Sequence, residues 1–591
     1  MPKLKPVVTV DQEWDRDTGR FLCAAWYTKG KLTGTNSLST FCKAMADLPP
    51  DVAIRGHNVA SADVRKWVEW GIPLPEHFTV EDSLIAARFL HPLYPEKKLD
   101  FLAKLEGYVY GDVHGEGNVE TNLSGCGKSA YTTHKLYELY KAQAAKRGQL
   151  NHLTVYNKIA QAFSALEVAG LKVDVTKLGA ASDAANNRLM ELVPLLPDPH
   201  VITNDGILRS WLATLYSPEQ LELLPRSHKS GEAQIGKEYL KLLKPPMPEL
   251  EPIIEAREIH RAKTVFIDNV LEKVSEYGFI FPSYKLLVAK TQRRSSTPNI
   301  QNWPDEYRRN VISRFKDGKI VTLDFASLEA RCFAWQAQCD DFLHAMMAGG
   351  YVAVASQCLG ITIKDKKDPR YKQVKSTVLA VTYNMSPGLF AFREFVASGG
   401  TVRMSVSDAQ KQYDMLFDRY PEIHAEMERR KAHAWSTGHT MSSVGVPLQV
   451  PLLPDDLMPA NDPQWVKHYR KKVENWAINW PTQQLASYIT GCALWDVQDR
   501  LAQEHGGWGR YMELLYENTQ RKRAIHKMIT PINEVHDALG CDVPADMVGE
   551  ALEMVDSAMC EGVTLQTICP QFNVSILGTE SKVGPSWDEG D

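Results

Sequence analysis

Two aspartates stand roughly 210 positions apart, each beside a strand-like apolar run. Asp324 closes Lys319-Ile320-Val321-Thr322-Leu323-Asp324, and Asp537 lies in Ile532-Asn533-Glu534-Val535-His536-Asp537-Ala538-Leu539. Carboxylates at two strand ends can share a pair of divalent cations. Between them in the chain, Lys375, Leu379 and Tyr383 follow one another at spacings of four and so form a single helical stripe. A helix that presents a cation and a phenol can hold a nucleoside triphosphate against such a metal pair, so the combination points to nucleotidyl transfer. Taken singly, each element is common: an acidic strand end, a surface helix with a snorkelling lysine, a His-Asp turn.

The elements that must position these groups follow from local chemistry. Asp324 leads through a short polar turn into a helix, with Ser327 expected as N-cap and Glu329 in the first turn, where the helix dipole favours it. Asp368 is expected to cap the next helix with Pro369 at its first position, and this helix should end before Pro387-Gly388. Lys372 shares the Lys375 stripe, whereas Arg370 falls about 140° away. Asn384 tolerates a left-handed helix end. Val535 to Leu539 reads as a hairpin tip.

The 591 residues allow roughly three to five domain-sized units, with an ordinary globular composition of 44% hydrophobic and 24% charged residues. The net charge of −5 gives no global attraction to nucleic acid, so any such binding needs local Lys/Arg clusters or metal. Ten scattered cysteines lack CxxC or Cys/His zinc spacing and read as reduced thiols. No signal-peptide pattern and no membrane-length apolar run is present, so the expectation is a cytoplasmic protein without membrane association. Val7 to about Lys146 alternates β-type and helical runs, as expected of an α/β domain; about 150–274 is mostly helical. Gly125-Cys126-Gly127-Lys128-Ser129 resembles a phosphate loop only superficially, because Asn122 stands where its first glycine is required.

Five separated segments, in order, resemble the family A DNA polymerases, the group of bacterial polymerase I and its phage relatives. They are Thr291 to Asn302, Asp324 to Arg331, Lys375 to Ser386, Trp476 to Gln483, and Val535-His536-Asp537. The resemblance covers roughly residues 150–591. It implies an α/β multidomain chain with a right-hand architecture: thumb 150–290, palm 291–345 and 485–591 around an antiparallel sheet, and fingers 346–484. In that reading Asp324, Asp537 and the Phe325 carbonyl hold two Mg²⁺, and Lys375 meets the phosphates with Lys372 or Arg370 assisting. Leu379 contacts the sugar, Tyr383 closes over the nascent pair, and Glu329 fills the space of a ribose 2′-hydroxyl. Arg293, Asn479 and Gln483 reach minor-groove acceptors, and His536 supports the primer end. Several positions depart from the family pattern: Ala538 replaces a Glu, Leu379 an aromatic, Tyr371 an Arg, Asn384 a Gly and Asn475 an Arg.

Residues 1–149 resemble an RNase H-like 3′→5′ exonuclease domain of the DnaQ type. The resemblance implies Mg²⁺ or Mn²⁺ at Asp11, Glu13 and Asp63. Lys135, four residues after Tyr131, stands where the third motif requires an acid. The expected activity is DNA-directed DNA synthesis by a monomer on primer-template DNA with dNTPs, with other replisome proteins as further partners. The compact layout suggests a phage or plasmid enzyme acting in the host cytoplasm, with proofreading an open expectation. The alternatives are a single-subunit RNA polymerase, which Glu329 opposes, and a non-catalytic DNA-binding protein.

Overall fold

The computed structural model describes residues 5–589 apart from 16, 109–118, 223, 228–230, 361, 365–366, 454–457 and 459–461. Its first sheet comprises β1 (Val7–Trp14), β2 (Phe21–Thr28), β3 (Lys31–Thr35), β4 (Ala53–Gly56) and β5 (Thr79–Asp82), in the order β3-β2-β1-β4-β5. The β1–β2 and β2–β3 pairs are antiparallel, whereas β4 joins β1, and β5 joins β4, in parallel. One face is covered by α1 (Val119–Lys146), within which the Gly125–Ser129 segment is plain helix rather than a loop.

Edge strand β5 would expose unpaired backbone groups. The next helix, α2 (Leu150–Ala169), supplies their partners: Asn157 Oδ1 accepts from Asp82 N at 3.1 Å and Gln161 Oε1 from Val80 N at 3.1 Å. Nearly every α2 side chain from His152 onward is buried, because the far side of the helix packs on the long helix α5 described below. Residues 150–169, expected within the thumb, are therefore a central pillar. The helical segment after them gathers a separate apolar core around Leu192, Val201, Leu208, Leu212 and Ile253.

The second sheet is antiparallel throughout, in the order β7-β8-β6-β9, with β6 (Lys319–Phe325), β7 (Thr530–Val535), β8 (Ala538–Val543) and β9 (Thr579–Gly584). Between β6 and β7 in the chain come α3 (Leu328–Gln336), α4 (Pro369–Thr382) and the 42-residue α5 (Pro463–Glu504). The β7–β8 hairpin carries a bulge near Pro531–Asn533, and a Cβ on Gly540 would meet Asn533 Oδ1 at 2.3 Å. Any side chain at this position would have to displace the buried Asn533 amide.

A fully buried ion pair locks this sheet to α2. Arg314 Nε donates to Asp542 Oδ2 at 2.9 Å, while its other nitrogens donate to the carbonyls of Ala169 and Gly170. Burial pushes the Asp542 carboxyl up and the Arg314 guanidinium opposes it. Arg314→Met leaves that carboxylate without its counter-charge. The expected cost is about 3–5 kcal/mol, read as a lower denaturant midpoint at unchanged slope.

Candidate active site

Strand alternation and a two-residue turn bring the aspartates together. Asp324 stands in register with Ala538, the residue after Asp537, and Phe325 N donates to the Asp537 carbonyl at 3.1 Å. His536 adopts φ 61° at the hairpin tip, which turns the chain so that Asp537 faces β6. The two carboxyl groups lie close enough for each to act on the other's ionisation. Desolvation in the cleft, followed by the Asp537 charge, pushes Asp324 up to about 7, with Glu580 adding and Lys375 opposing. Asp537 is likewise raised, mainly by desolvation. Two acids held this close strain against simultaneous ionisation, and a divalent cation is the group that relieves it. The donor set therefore fits metal, with Asp324 and Asp537 as side-chain ligands. Among the described residues no group of three or more His, Cys, Asp or Glu side chains forms a metal cage.

The turn after β6 differs from its expected form. Ser327 is left-handed (φ 53°, ψ 40°) and its hydroxyl bonds no backbone amide of α3. It faces Tyr351 instead. A strand that hands directly to a helix must reverse within two residues, and the left-handed conformation supplies that reversal. Glu329 follows in the first turn of α3, ion-paired with Arg293 and pushed up to about 7, mainly by burial.

On α4 the expected cap is present: Asp368 accepts from Arg370 N at 3.0 Å, with Pro369 in the first turn. Arg370 is committed elsewhere, its guanidinium held by Asp368 at 2.7 Å and by the Thr362 carbonyl at 2.8 Å. Of the two expected phosphate assistants, exposed Lys372 is thus the one left available. Lys375 lies 5.8 Å from the centre of the Tyr351 ring, and its charge reaches Asp324. The helix ends before Pro387 as expected, with Asn384 left-handed at φ 55°.

Helix α5 closes the site. Pro481 cannot donate to the Ala477 carbonyl, which accepts from Thr440 Oγ1 at 2.9 Å instead. Asn479 Nδ2 donates to the Tyr383 carbonyl at 3.3 Å. Glu329, Leu379, Tyr383 and Asn479 line one small pocket, so four expected site residues from three helices converge there. Gln483 follows Asn479 by one turn and is half-buried. His536 is exposed at the cleft.

Sequence reasoning missed several groups. Glu580 of β9 is in register with Asp324 on the side opposite Ala538, so its side chain shares the aspartate's face of the sheet. Arg294, beside Arg293, is buried and spans Ser487 and Glu534, at 3.1 Å from the latter. Gln301 Nε2 donates to the Glu534 carbonyl at 3.2 Å. Tyr351 joins Ser327 to Lys375. The Arg-Arg doublet was the one available signal, since a buried guanidinium requires a carboxylate partner.

In the N-terminal sheet, Asp11, Glu13 and Asp63 lie within electrostatic reach of one another. Gln12 Nε2 holds Asp63 Oδ1 at 2.9 Å, and burial pushes both aspartates up strongly. Lys135 turns to the Tyr131 ring at 5.3 Å, while Cys126, about two and a half turns earlier on α1, is the helix residue against Asp11. The helix register, rather than the Tyr-x-x-x spacing, decides which side chain meets the acids.

The antiparallel sheet, its paired carboxylates and the facing helix with its cation and phenol define a hand-shaped nucleic-acid polymerase fold. The chain belongs to DNA polymerase family A: the sequence model of that family matches residues 211–589. It is similar to DNA polymerase I of Pseudomonas aeruginosa, 27% identical over 437 residues, covering 72% of this chain and 42% of that protein. It is also similar to the thermostable DNA polymerase I of Thermus thermophilus, at 23% identity over 74% of this chain and 49% of that protein. The chain thus spans less than half the length of these relatives. A solved structure described as the POL domain of Pol1 from M. smegmatis in complex with DNA primer-template and dNTP shares the fold. Its TM-score is 0.77 at 19% identity, over 99% of this chain and 96% of that one.

Proposed function

We propose that the protein adds deoxynucleotides to a DNA primer under the direction of a template strand. The observation that carries this reading is the Asp324–Asp537 pair, brought together by the register of β6 and β8 and facing the Lys375 charge within a chain of this family. Divalent cations, when bound by Asp324, Asp537 and the Phe325 carbonyl, would activate the primer hydroxyl and neutralise the triphosphate. Lys375, with Lys372, meets phosphate charge at the opposite wall. Leu379 and Tyr383 press on the sugar and base of the incoming nucleotide, and Asn479 fixes the Tyr383 backbone. Arg293, Gln483 and His536 line the path of the duplex end. The sheet of β6–β9 would serve as palm, the α4 region as fingers and the helices after α2 as thumb. Extension of a primed template with dNTPs and Mg²⁺ tests the reading; absence of extension, or preference for NTPs, overturns it.

Glu329 is the proposed sugar gate, held in place by Arg293. Glu329→Ala is expected to raise ribonucleotide incorporation relative to deoxynucleotide by roughly 10–200-fold. Competition between matched dNTP and NTP measures it, and an unchanged ratio removes the steric role.

The N-terminal unit is proposed as an exonuclease-like domain that has lost efficient trimming. The Gln12–Asp63 bond, Cys126 against Asp11 and Lys135 held over the Tyr131 ring support this reading. Gln12 occupies one Asp63 oxygen, so a metal at Asp11, Glu13 and Asp63 would have to use the other or displace the amide. A mispaired primer 3′ end is expected to survive at saturating Mg²⁺ or Mn²⁺; removal as fast as correct extension would refute the loss.

A further inference from the structure

The N-terminal unit holds a pair of thiols that the sites described above do not use. Strand alternation puts Cys23 and Ala25 of β2 on one face of the sheet, in register with Glu13 and Asp11 of β1. Helix α1 packs closely on that face because the residues beneath it are small. A Cβ on Gly34 of β3, in register with Ala25, would meet Leu123 Cδ1 at 2.7 Å. The close approach brings Cys126 of α1 to Cys23, with the two Sγ atoms 3.3 Å apart and both side chains buried. Cys23, Ala25 and Cys126 form a small apolar cluster of their own, with Leu123 packed against it. Among the described residues no other two cysteine sulfurs are in hydrogen-bonding contact.

The surroundings suit a reaction between these sulfurs. A disulfide needs them about 2.05 Å apart, so closure asks for roughly 1.2 Å of approach. A groove of roughly 540 Å³, lined by Ala25, Gly34, Leu123, Gly127 and Tyr131, opens beside the pair. Half-buried Leu123 belongs both to the groove wall and to the thiol cluster, so a small oxidant in the groove is one side chain away from the sulfurs. Cys126 also lies against Asp11, and the helix position that a bond would fix is therefore the one over the acids. The bond would join residues 103 positions apart, and long closed loops restrict the unfolded chain most.

We propose that Cys23 and Cys126 are a reversible oxidation site, joined as a disulfide by a peroxide and released by a dithiol, and that the bond latches α1 onto β2 above Asp11 and Glu13. One thiol sulfur takes an oxygen from hydrogen peroxide and becomes a sulfenic acid, with water as the other product. The second sulfur attacks it, the S–O bond breaks, and the hydroxyl leaves with the second thiol proton as water. Two electrons and two protons thus pass from the thiols to the peroxide. A dithiol reductant reverses the bond and becomes a disulfide itself.

The test uses the full chain, reduced, freed of reductant and exposed to a few equivalents of hydrogen peroxide. Remaining thiols are alkylated in denaturant, and the peptides are read by mass spectrometry. The expected product is a cross-linked Cys23–Cys126 peptide pair, lighter by two hydrogens than the two thiol peptides, which dithiothreitol returns to free thiols. Backbone amides of α1 around Cys126 are expected to exchange with solvent roughly tenfold more slowly in the oxidised protein. Cys23→Ala and Cys126→Ala each abolish the cross-link and the slowing. The cross-link and the exchange are both measured on the wild type, so a variant that fails to fold leaves the result standing. Both cysteines alkylated after oxidation, either one joined to a different cysteine, or either one carried to the sulfinic acid in place of the bond would overturn the proposal. So would a bond that leaves exchange in α1 unchanged, because the helix would then not be latched.

Discussion

Asp324→Ala or Asp537→Ala is expected to lower primer extension by about three orders of magnitude or more while leaving primer-template affinity near wild type. Each removes one of the two proposed side-chain ligands, and charge stabilisation by bound metal amounts to several kcal/mol, each ~1.36 kcal/mol of which is a factor of ten in rate. Single-turnover extension and DNA-binding measurements separate the two effects; near-normal synthesis by either variant would remove the metal assignment. The fold should tolerate both changes, because Asp324 is exposed, Asp537 is only half-buried, and their charges repel each other. The sign of the pH dependence follows. Asp324 holds its proton up to about 7 when folded, against an ordinary value of 3.8. The folded state therefore binds more protons across that window, and this group's contribution to stability is lost as pH rises through it. With divalent cations chelated, the thermal midpoint of the wild type should fall between those values more than that of Asp324→Ala. Added Mg²⁺ should restore it most at the alkaline end, and equal pH profiles for the two proteins would contradict the pairing.

Lys375→Ala is expected to slow incorporation by roughly 10²–10³-fold, the size of losing one preorganised charge at a transition state. Two observations sharpen this expectation. Arg370 is occupied by Asp368 and the Thr362 carbonyl, and Tyr371 replaces the arginine found elsewhere in the family. Only Lys372 remains on this stripe to share the phosphate load. Lys375→Ala should therefore lower kcat and raise the KM for dNTP together, and Lys375→Arg should restore part of both. A loss below fivefold would move the phosphate contact to another residue. Arg370→Ala, by contrast, should affect mainly the start of α4 and little of the chemistry.

Glu580 bears on the departure at Ala538. The family's additional carboxylate is absent there, yet an acid stands on the other flank of Asp324, in register on β9. Its charge already raises Asp324. Nothing in the sequence around Thr579-Glu580-Ser581-Lys582 announces this, because the pairing of β9 with β6 spans more than 250 residues.

What could be read from the sequence was what a few adjacent residues decide. The apolar run that closes on Asp324 marked a strand, and the turn between two β-type runs marked the His536 hairpin. Asp368 followed by Pro369 marked a helix start, and Asn384 a left-handed end. These are matters of capping, turn and side-chain period, settled within about one helical turn. The tertiary structure alone decided which groups meet. It paired Arg293 with Glu329 and Arg294 with Glu534, put Cys126 rather than Lys135 beside Asp11, and turned Ser327 from cap to left-handed hinge. It also made α2 a buried pillar. Such choices depend on strand register and on which helix faces close against each other, and those are set by burial across hundreds of residues, where local sequence carries no signal.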